Sequence, residues 1–257
     1  MLGTLEKAAR MLDLFTPARP EWGVSEVARA LAVPTSSAHL TLSSLAQTGL
    51  LHRTLSGRYR LGFKLLSLCQ TLLTNTPWRD VAHEEMARLA QRSGENVGLA
   101  AFDGGQMVHV DGCGGRLGGA GPARTVGEIL SAHASASGKV LLASRPWKLG
   151  LATVQAVMQG GELPRYTENT ITALDELEGE LARVRRRGYA HEVSEVQAGV
   201  YGVAAPVRNH NGEVIAALSL GTIAVRFERQ KELQREVLHS AAEISGRIGY
   251  GGGMNRE

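Results

Sequence analysis

The chain has 257 residues, enough for one large domain or two of ordinary size, and its apolar fraction of 43% can form packed cores. No apolar run reaches the roughly 20 residues of a membrane-spanning helix. The two cysteines, Cys69 and Cys113, form neither a metal-spaced pair nor a disulfide framework. The amphipathic N-terminus contains Glu6 and Asp13, which excludes a secretory signal peptide there. We therefore expect a soluble protein of the cytoplasm.

The net charge of +3 is distributed unevenly along the chain. Residues 1–77 contain eight basic and four acidic residues, whereas the rest of the chain contains 20 basic and 21 acidic ones. Only the N-terminal part is therefore basic, and a surface that binds a polyanion is expected there. The excess is small, so charge alone identifies no partner.

The first predicted element is an amphipathic helix that ends near Phe15. Leu5, Ala8, Leu12 and Phe15 recur at helical spacing and predict its buried face, with Thr4 as the N-cap. Pro17 and Pro20 then predict a loop.

Residues 24–61 carry the pattern of a winged helix-turn-helix. A short amphipathic segment from Val24 to Leu31 precedes Pro34, which suits the first turn of a second helix because the missing N–H is not needed there. Gly49 ends this second helix, and Ser56-Gly57 then separates two strand-like runs of a hairpin. Two tightly joined helices followed by this hairpin indicate a module whose second helix enters the DNA major groove. The hairpin, or wing, carries Arg53, Arg58 and Arg60.

The segment from Phe63 to Asn75 predicts a helix that is apolar on several sides, with leucines on both faces. Such a helix requires an apolar partner. The pattern leaves two interpretations open, namely an ordinary core helix or a helix that pairs with a second copy of the chain.

Thr76-Pro77 breaks the chain, and the elements beyond it predict an α+β domain with five or six antiparallel strands. Asp103-Gly104-Gly105 predicts a hairpin turn, Thr172 and Asp175 form a capping-box pattern, and Gly188 ends that helix. Glycine-rich residues 112–122 predict a loop. The predicted helices are 78–94, 135–144, 147–159, 172–187 and 227–248, and the predicted strands are 96–102, 106–110, 127–133, 189–194, 202–208 and 213–221.

The phosphate-binding motifs are incomplete. The glycine-rich loop lacks the spacing of a dinucleotide fingerprint. Ser137-Gly138-Lys139 resembles the end of a P-loop, but His133 stands where a glycine is needed and Val140 replaces the Mg²⁺-binding hydroxyl. Lys139 is therefore expected on a helix surface.

Metal-binding and catalytic motifs are also incomplete. His83 begins a zinc-protease-like pattern, but Ala87 stands where the second histidine is needed. His133 and His191 are possible metal ligands, although a lone histidine is more often structural. We predict no cofactor and no metal. We also predict that the protein is not an enzyme, because nothing in the chain shows a nucleophile elbow.

Seven blocks of the sequence occur in the order and at the separations of the IclR-type bacterial transcriptional regulators, and the resemblance covers Leu2 to Gly249. They are LEKAARMLDLF, VSEVARALAVPTSSAHLTLSSLAQTGLLHR, SGRYRLGFKLLSL, HASASGKVLLA, NTITALDELEGELARVRRRGYAHE, AGVYGVAAPV and AALSLGT. The resemblance implies a winged helix-turn-helix over 1–62, a linking and dimerisation helix over 63–77, a GAF-like effector-binding domain over 78–250 and a flexible tail over 251–257. It also implies a homodimer or a dimer of dimers.

The resemblance implies which residues contact DNA. In many relatives the positions of Thr35 and Leu40 hold a basic residue and an arginine, which this chain lacks, so the wing arginines are expected to be the main phosphate or minor-groove contacts. The alternatives are that Leu40 packs against the wing and that the wing is merely solvated. The candidates are Thr35, Ser36, Ser37, His39 and Leu40 on the second helix and Arg53, Arg58, Tyr59 and Arg60 on the wing.

The resemblance also implies an effector pocket. N–H groups at the start of the helix after Ser135 suit a carboxylate. Gly202 and Gly221 stand where glyoxylate- or pyruvate-sensing relatives have cysteine and serine, which predicts a roomier cavity for an aromatic or longer organic acid. Ser137 and Ser219 could add hydrogen bonds to the ligand, and their alternative roles are backbone capping and strand packing. The implied pocket residues are Leu130, Ala136, Ser137, Glu192, Gly202, Ser219 and Gly221.

Together these patterns predict a ligand-responsive repressor or activator that binds a pseudo-palindromic DNA site as a dimer and senses a small organic acid or aromatic metabolite. Two alternatives remain open at this point. One is an enzyme with a vestigial DNA-binding module, and the other is a dimerisation scaffold without a ligand. No membrane partner is expected.

Overall fold

The computed structural model describes residues 2–115, 124–158, 160–223 and 229–251. Contacts divide the chain into two compact units, Met1–Thr76 and Pro77–Glu257. Most of the glycine-rich segment 112–122, the predicted start of the last helix at Phe227 and residues 252–257 of the predicted tail lie outside the described residues. Within them, no helix is long and apolar enough to cross a membrane.

The first unit contains three helices, a two-stranded hairpin and a fourth helix. Its core collects apolar side chains from all of these except the fourth helix, among them Met11, Val27, Leu42 and Tyr59. Trp22 ties the hairpin to the helices, because its backbone exchanges two hydrogen bonds with Tyr59. The elements are α1 (Leu2–Leu12), α2 (Val24–Ala30), α3 (Thr35–Gln47), β1 (Leu51–Arg53), β2 (Tyr59–Leu61) and α4 (Lys64–Thr74).

The ends of these helices follow local rules only in part. Gly49 has a φ of +79°, which ends α3 as predicted. Pro34 is the N-cap of α3 rather than its first residue. The prediction of Thr4 as the N-cap of α1 was wrong, because α1 begins at Leu2. Leu5 is 78% exposed and does not join the buried face; Met11 takes the central place instead.

Helix α4 has no buried residue. Phe63, at its N-cap, and Leu66, Leu68 and Leu72 are each at least half exposed. The interpretation of α4 as an ordinary core helix of one chain was therefore wrong, because its leucines contact no core among the described residues.

The second unit is an antiparallel six-stranded sheet with helices on both faces. The strand order is β5-β4-β3-β8-β7-β6, so the hairpins β3–β4 and β7–β8 meet at the centre. The elements are α5 (Pro77–Ser93), β3 (Asn96–Asp103), β4 (Gln106–Cys113), β5 (Ile129–Leu130), α6 (Ala136–Ala143), α7 (Trp147–Gln155), α8 (Leu174–Arg187), β6 (Ala190–Val193), β7 (Val200–Arg208), β8 (Val214–Ile223) and α9 (Gln230–Arg247).

The two faces of the sheet carry different side chains because successive residues of a strand point to opposite faces. One face presents larger residues such as Leu99, Val203 and Leu218 to α5 and α9. The other presents Ala100, Ala204 and Ala217 to α6 and α8. The alanines leave space for α6 close to the sheet, and this places the start of α6 over the strands that form the cavity described below.

Several predicted boundaries in this unit shift. Gly112 and Cys113 belong to β4 rather than to a loop, and α7 ends at Gln155 rather than at 159. The capping box at Thr172 was wrong, because α8 begins at Leu174 after Ala173 and has no side-chain cap. Thr172 instead accepts a hydrogen bond from Arg165. Gly188 ends α8 with a φ of +81°, as predicted.

Candidate functional site

The first candidate surface is the outward face of α3. Thr35, Ser36, His39 and Leu40 are exposed, whereas Ala38, Leu42 and Leu45 on the opposite face are buried. Leu40 is 69% exposed, so the alternative in which it packs against the wing was wrong. Ser37 is only half-buried, and its hydroxyl accepts a hydrogen bond of 2.8 Å from the ammonium of Lys7 on α1. The structure thereby adds a cation beside α3 that the sequence analysis did not include.

The wing arginines have different surroundings. Arg53 and Arg60 are exposed, and their guanidinium groups lie 6.0 Å from the ring centres of Tyr59 and Phe63. Arg58 is half-buried and forms a hydrogen-bonded ion pair of 2.7 Å with Glu26 on α2. The positive charge of Arg58 is thus paired with carboxylates of the same unit.

Glu26 joins the wing to α2. Its carboxylate accepts a 2.7 Å hydrogen bond from the N–H of Gly23 and also pairs with Arg19 at 3.2 Å. This backbone hydrogen bond, together with Arg58 and Arg19, lowers the pKa of Glu26. Glu26 therefore stays ionised and holds Arg58 against the first helix of the motif.

The inclusion of Tyr59 among the DNA contacts is corrected. Its side chain is 1% exposed and lies in the core of the unit, where its hydroxyl is 3.3 Å from that of Ser43. Because side chains alternate along β2, Tyr59 faces the core while the next residue, Arg60, is exposed.

The second candidate site is a cavity of about 370 Å³ in the second unit. It lies between the sheet and the start of α6. All seven pocket residues named from the sequence line it, namely Leu130, Ala136, Ser137, Glu192, Gly202, Ser219 and Gly221. They come from five different elements, so the fold brings together residues that are up to 91 positions apart.

Glu192 is a buried acidic group of the cavity lining. It is 6% exposed, and its carboxyl group accepts hydrogen bonds from the N–H groups of Val196 and of Ala136 at the start of α6. Burial raises the pKa of Glu192, and Arg124 opposes this effect. The anion-binding end of α6 is thus partly occupied by a carboxyl group of the protein itself.

The interpretation of Gly202 as simply enlarging the cavity requires correction. A Cβ atom at Gly202 would lie 3.3 Å from both Cβ and Oε2 of Glu192. The space that a cysteine would occupy is therefore taken in part by the Glu192 side chain.

Several polar residues that were not predicted from the sequence also line the cavity. His109 is buried on β4, and the pair Arg124 and Glu128 is joined by a 3.1 Å ion pair at the cavity lining. Alternation along the predicted strand could have identified His109, since Met107 and His109 share one face. Asn96 and Gln197 also line the cavity.

Lys139, predicted on a helix surface, is 2% exposed, so that prediction was wrong. Its ammonium lies 2.5 Å from both carboxylate oxygens of Glu195 and 3.1 Å from the carbonyl oxygen of His191. Burial raises the pKa of Glu195, while Lys139 opposes this effect. The pair joins α6 to the segment after β6, whose next residues, Val196 and Gln197, line the cavity.

Other histidines have structural surroundings. Nε2 of His133 lies 2.9 Å from the carbonyl oxygen of Pro164, and the His133 ring stacks on Tyr166. His191 contacts the rings of Tyr189 and Tyr201. Within the described ranges, no group of three or more His, Cys, Asp or Glu side chains is arranged to hold a metal ion.

Two family models match the chain. The IclR helix-turn-helix domain matches residues 4–55, and the bacterial transcriptional regulator IclR C-terminal domain matches residues 70–246. The HTH-type transcriptional regulator XynR of Escherichia coli (strain K12) is 30% identical over 253 residues, which cover 97% of this chain and 98% of that protein. Relatives of this kind are named as regulators, not as enzymes.

Solved structures agree with these matches. The IclR protein of Thermotoga maritima has 32% sequence identity and a TM-score of 0.71, and the match covers 97% of this chain and 100% of that one. An IclR homologue from Microbacterium hydrocarbonoxydans, solved in complex with 4-hydroxybenzoate, has 28% identity and a TM-score of 0.81, with 95% and 98% of the two chains covered. The two matched domains and their order show that this chain belongs to the IclR family of bacterial transcriptional regulators.

Proposed function

We propose that this protein binds duplex DNA through α3 and the wing, and that an organic acid in the cavity of the second unit controls this binding. The observation that carries the proposal is the convergence of all seven predicted pocket residues on one cavity of about 370 Å³. A cavity of this volume lies at the small end of the range for ligand sites and suits a one-ring molecule.

The DNA-binding part of the proposal rests on the exposed polar face of α3 and on the cations beside it. Thr35, Ser36 and His39 offer hydrogen-bonding groups for bases or phosphates, and Leu40 offers an apolar contact to a thymine methyl group. Arg53, Arg60 and Lys7 supply positive charge that attracts phosphates whatever the base sequence.

We infer that the protein acts in the cytoplasm as a homodimer or a dimer of dimers on a pseudo-palindromic site, one α3 in each half-site. The apolar residues of α4 are the proposed contact between copies. The proposed division of the chain is a DNA-binding domain over 1–62, a linking helix over 63–77, an effector domain over 78–250 and a tail over 251–257.

We also infer that the ligand is larger than a two- or three-carbon acid. The bound aromatic acid of the Microbacterium homologue supports this size class. Arg124 and the remaining N–H groups at the start of α6 are the proposed partners of the ligand carboxylate. For control of DNA binding, the ligand must bind one of two DNA-affinity states better than the other.

Selection of bound sequences from a random duplex library tests the DNA-binding part. We expect two related half-sites whose preferred bases change in His39→Ala and Leu40→Ala, while wild-type preference persists in the control Arg186→Ala. If no sequence is enriched by the full-length protein, the proposal fails.

Calorimetric titration of the full-length protein with organic acids tests the ligand part. The panel should run from glyoxylate and pyruvate to benzoate, phenylacetate and hexanoate. We expect binding by the larger acids and a change in DNA affinity in their presence. Binding of two- and three-carbon acids alone would contradict the inference about size.

A further inference from the structure

His109 is a buried polar group in the lining of the cavity. Its side chain is 3% exposed and lines the cavity. Nε2 of His109 is buried and has no hydrogen-bond partner among the described residues. A buried polar atom without a partner is uncommon in native structures because it loses its hydrogen bonds to water without replacement. At a cavity wall, a bound molecule can supply the missing partner.

The neighbouring strands are built to accommodate the His109 ring. A Cβ atom at Gly98 on β3 would lie 3.0 Å from Cε1 of His109, and one at Gly112 on β4 would lie 3.0 Å from its Nε2. Gly98 and Gly112 pair with each other across the two strands. Any larger residue at either position would press on the imidazole, so the two glycines allow the ring to lie close to the sheet.

The backbone fixes the residue that carries this ring. The N–H of His109 donates to the carbonyl oxygen of Glu128 at 2.9 Å, and its carbonyl oxygen accepts from Gly127 at 2.8 Å. These bonds join β4 to the turn that also carries Arg124, which lines the same cavity. The position of His109 is therefore set before any ligand binds.

Ser219 adds a second polar atom at the same place. Its hydroxyl lies 3.2 Å from the position of a Cβ atom at Gly98, which the His109 ring also approaches. The hydroxyl donates to the carbonyl oxygen of Gly98 at 3.2 Å, and its oxygen can still accept a hydrogen bond. His109 on β4 and Ser219 on β8 thus form a polar cluster on either side of β3. Glu192, by contrast, lies on the edge strand β6.

We propose that His109, with Ser219 beside it, forms a second subsite of the cavity that takes a hydroxyl group of the ligand, so that the effector is a hydroxylated organic acid. A hydroxyl group suits this place because it can donate to an unprotonated Nε2 or accept from a protonated one. Burial lowers the pKa of His109, which keeps the imidazole uncharged near neutral pH. The subsite therefore favours a neutral hydroxyl over a second carboxylate.

This inference rests on the proposed function, because it assumes that an organic acid occupies the cavity. Its test compares acids that differ only in one hydroxyl group, on full-length protein. The probe sets are benzoate with 3- and 4-hydroxybenzoate, phenylacetate with 4-hydroxyphenylacetate, and hexanoate with 6-hydroxyhexanoate. Calorimetry gives the ratio of the two dissociation constants for each pair.

For wild-type protein we expect at least one hydroxylated acid to bind ~10-fold more tightly than its unsubstituted partner, since leaving a buried polar atom without a partner is costly. In His109→Phe this preference should fall to less than about threefold. His109→Gln, whose amide can place a hydrogen-bonding atom near the position of Nε2, should restore part of it.

The matched control is His191→Phe, the same substitution at a histidine that does not line the cavity. It should keep the wild-type preference. Thermal unfolding of each variant identifies loss of fold, and His109→Gln then carries the comparison if His109→Phe does not fold. An equal preference in wild type and His109→Phe, or no preference for any hydroxylated acid, would overturn the subsite while leaving the organic-acid proposal intact. Absence of binding by every acid would overturn the proposed function and this inference together.

Discussion

At the scale of single residues, Glu192 is a buried titratable group in the lining of the cavity. Glu192 has a raised pKa because it is buried, and it lies at the start of α6, where a ligand carboxylate is proposed to bind. The charged groups that act on Glu192 are Arg124, which favours its ionised form, and Glu195, which disfavours it. A ligand carboxylate adds a further negative charge, so it should shift Glu192 toward its protonated form.

The first prediction concerns pH. As pH falls toward the raised pKa of Glu192, this group gains a proton and ceases to repel the ligand, so organic acids should bind more tightly at pH 5.5 than at pH 7.5. We expect a gain of roughly three- to tenfold. Titrations in two buffers with different ionisation enthalpies should also show proton uptake on binding.

Glu192→Gln provides the control for this prediction, because glutamine keeps the shape of the side chain and cannot ionise. Its affinity for the same acid should vary little over this pH range. A pH dependence as large as that of wild type would assign the effect to another group.

The second prediction concerns the wing. Arg53 is exposed, whereas Arg58 is paired with Glu26 and Glu21. Arg53→Ala should weaken binding to all duplexes and reduce the slope of log affinity against log salt by about 0.9 for each phosphate contact removed. Fluorescence anisotropy between 50 and 200 mM salt measures this slope.

Arg186→Ala, an exposed arginine on α8, serves as the charge-matched control and should leave the slope unchanged. Arg58→Ala should change the slope less than Arg53→Ala, because its charge is already balanced within the unit. If Arg53→Ala and Arg186→Ala give the same slope, Arg53 makes no phosphate contact.

At the scale of elements, α6 has two roles. Its first residues line the cavity, and Lys139, one turn further along, is held by the ion pair with Glu195. The segment that holds Glu195 is itself fastened by Thr167 and Thr170, whose hydroxyl groups donate to the carbonyl oxygens of Ser194 and Glu195 at 2.6 Å. The position of the cavity wall therefore depends on polar contacts between distant loops as well as on apolar packing.

The third prediction tests the buried pair. Lys139→Met should destabilise the second unit by about 3–5 kcal/mol, because Glu195 is left buried without its cationic partner. Equilibrium unfolding in urea measures the change, followed through the transition that involves the second unit.

The double variant Lys139→Met with Glu195→Met removes both charges and should recover most of the lost stability. A single variant as stable as wild type would show that Glu195 finds another partner or is protonated in the folded state.

At the scale of the whole molecule, the leucines of α4 form an exposed apolar surface on a helix that has no buried residue. The chain as a monomer would expose this surface to water at a cost of roughly 25 cal/mol per Å². The proposed pairing of two copies through α4 would cover this surface and would join two DNA-binding units in one dimer.

The fourth prediction follows from this surface. Leu72→Asp should raise the dissociation constant of the dimer by at least ~10-fold, since each copy loses a buried leucine and gains a charge in the interface. Sedimentation velocity over a range of concentrations measures the dissociation constant. Gln70→Asp, on the same helix, is the control and should change it little; equal effects of both variants would point to charge rather than apolar contact.

Local sequence patterns were sufficient to predict structure where residues interact mainly with their neighbours in sequence. The α2–α3–hairpin order, the ends at Gly49 and Gly188 and the antiparallel sheet follow from periodicity and turn residues. The predicted helix starts at Thr4 and Thr172 were wrong, because α1 begins at Leu2 and α8 begins at Leu174 without a side-chain cap.

The sequence by itself determined the two-domain organisation, the family and seven of the residues that line one cavity, because motif order and spacing are properties of the chain. Only the tertiary structure decided that Tyr59 and Lys139 are buried and which residues surround the ring of His109. Lys139 finds its partner Glu195 56 positions along the chain, and His109 lies against Gly98 of the neighbouring strand. Such contacts form between residues that are far apart in sequence, so they depend on how strands and loops pack together. A local sequence pattern does not contain this information.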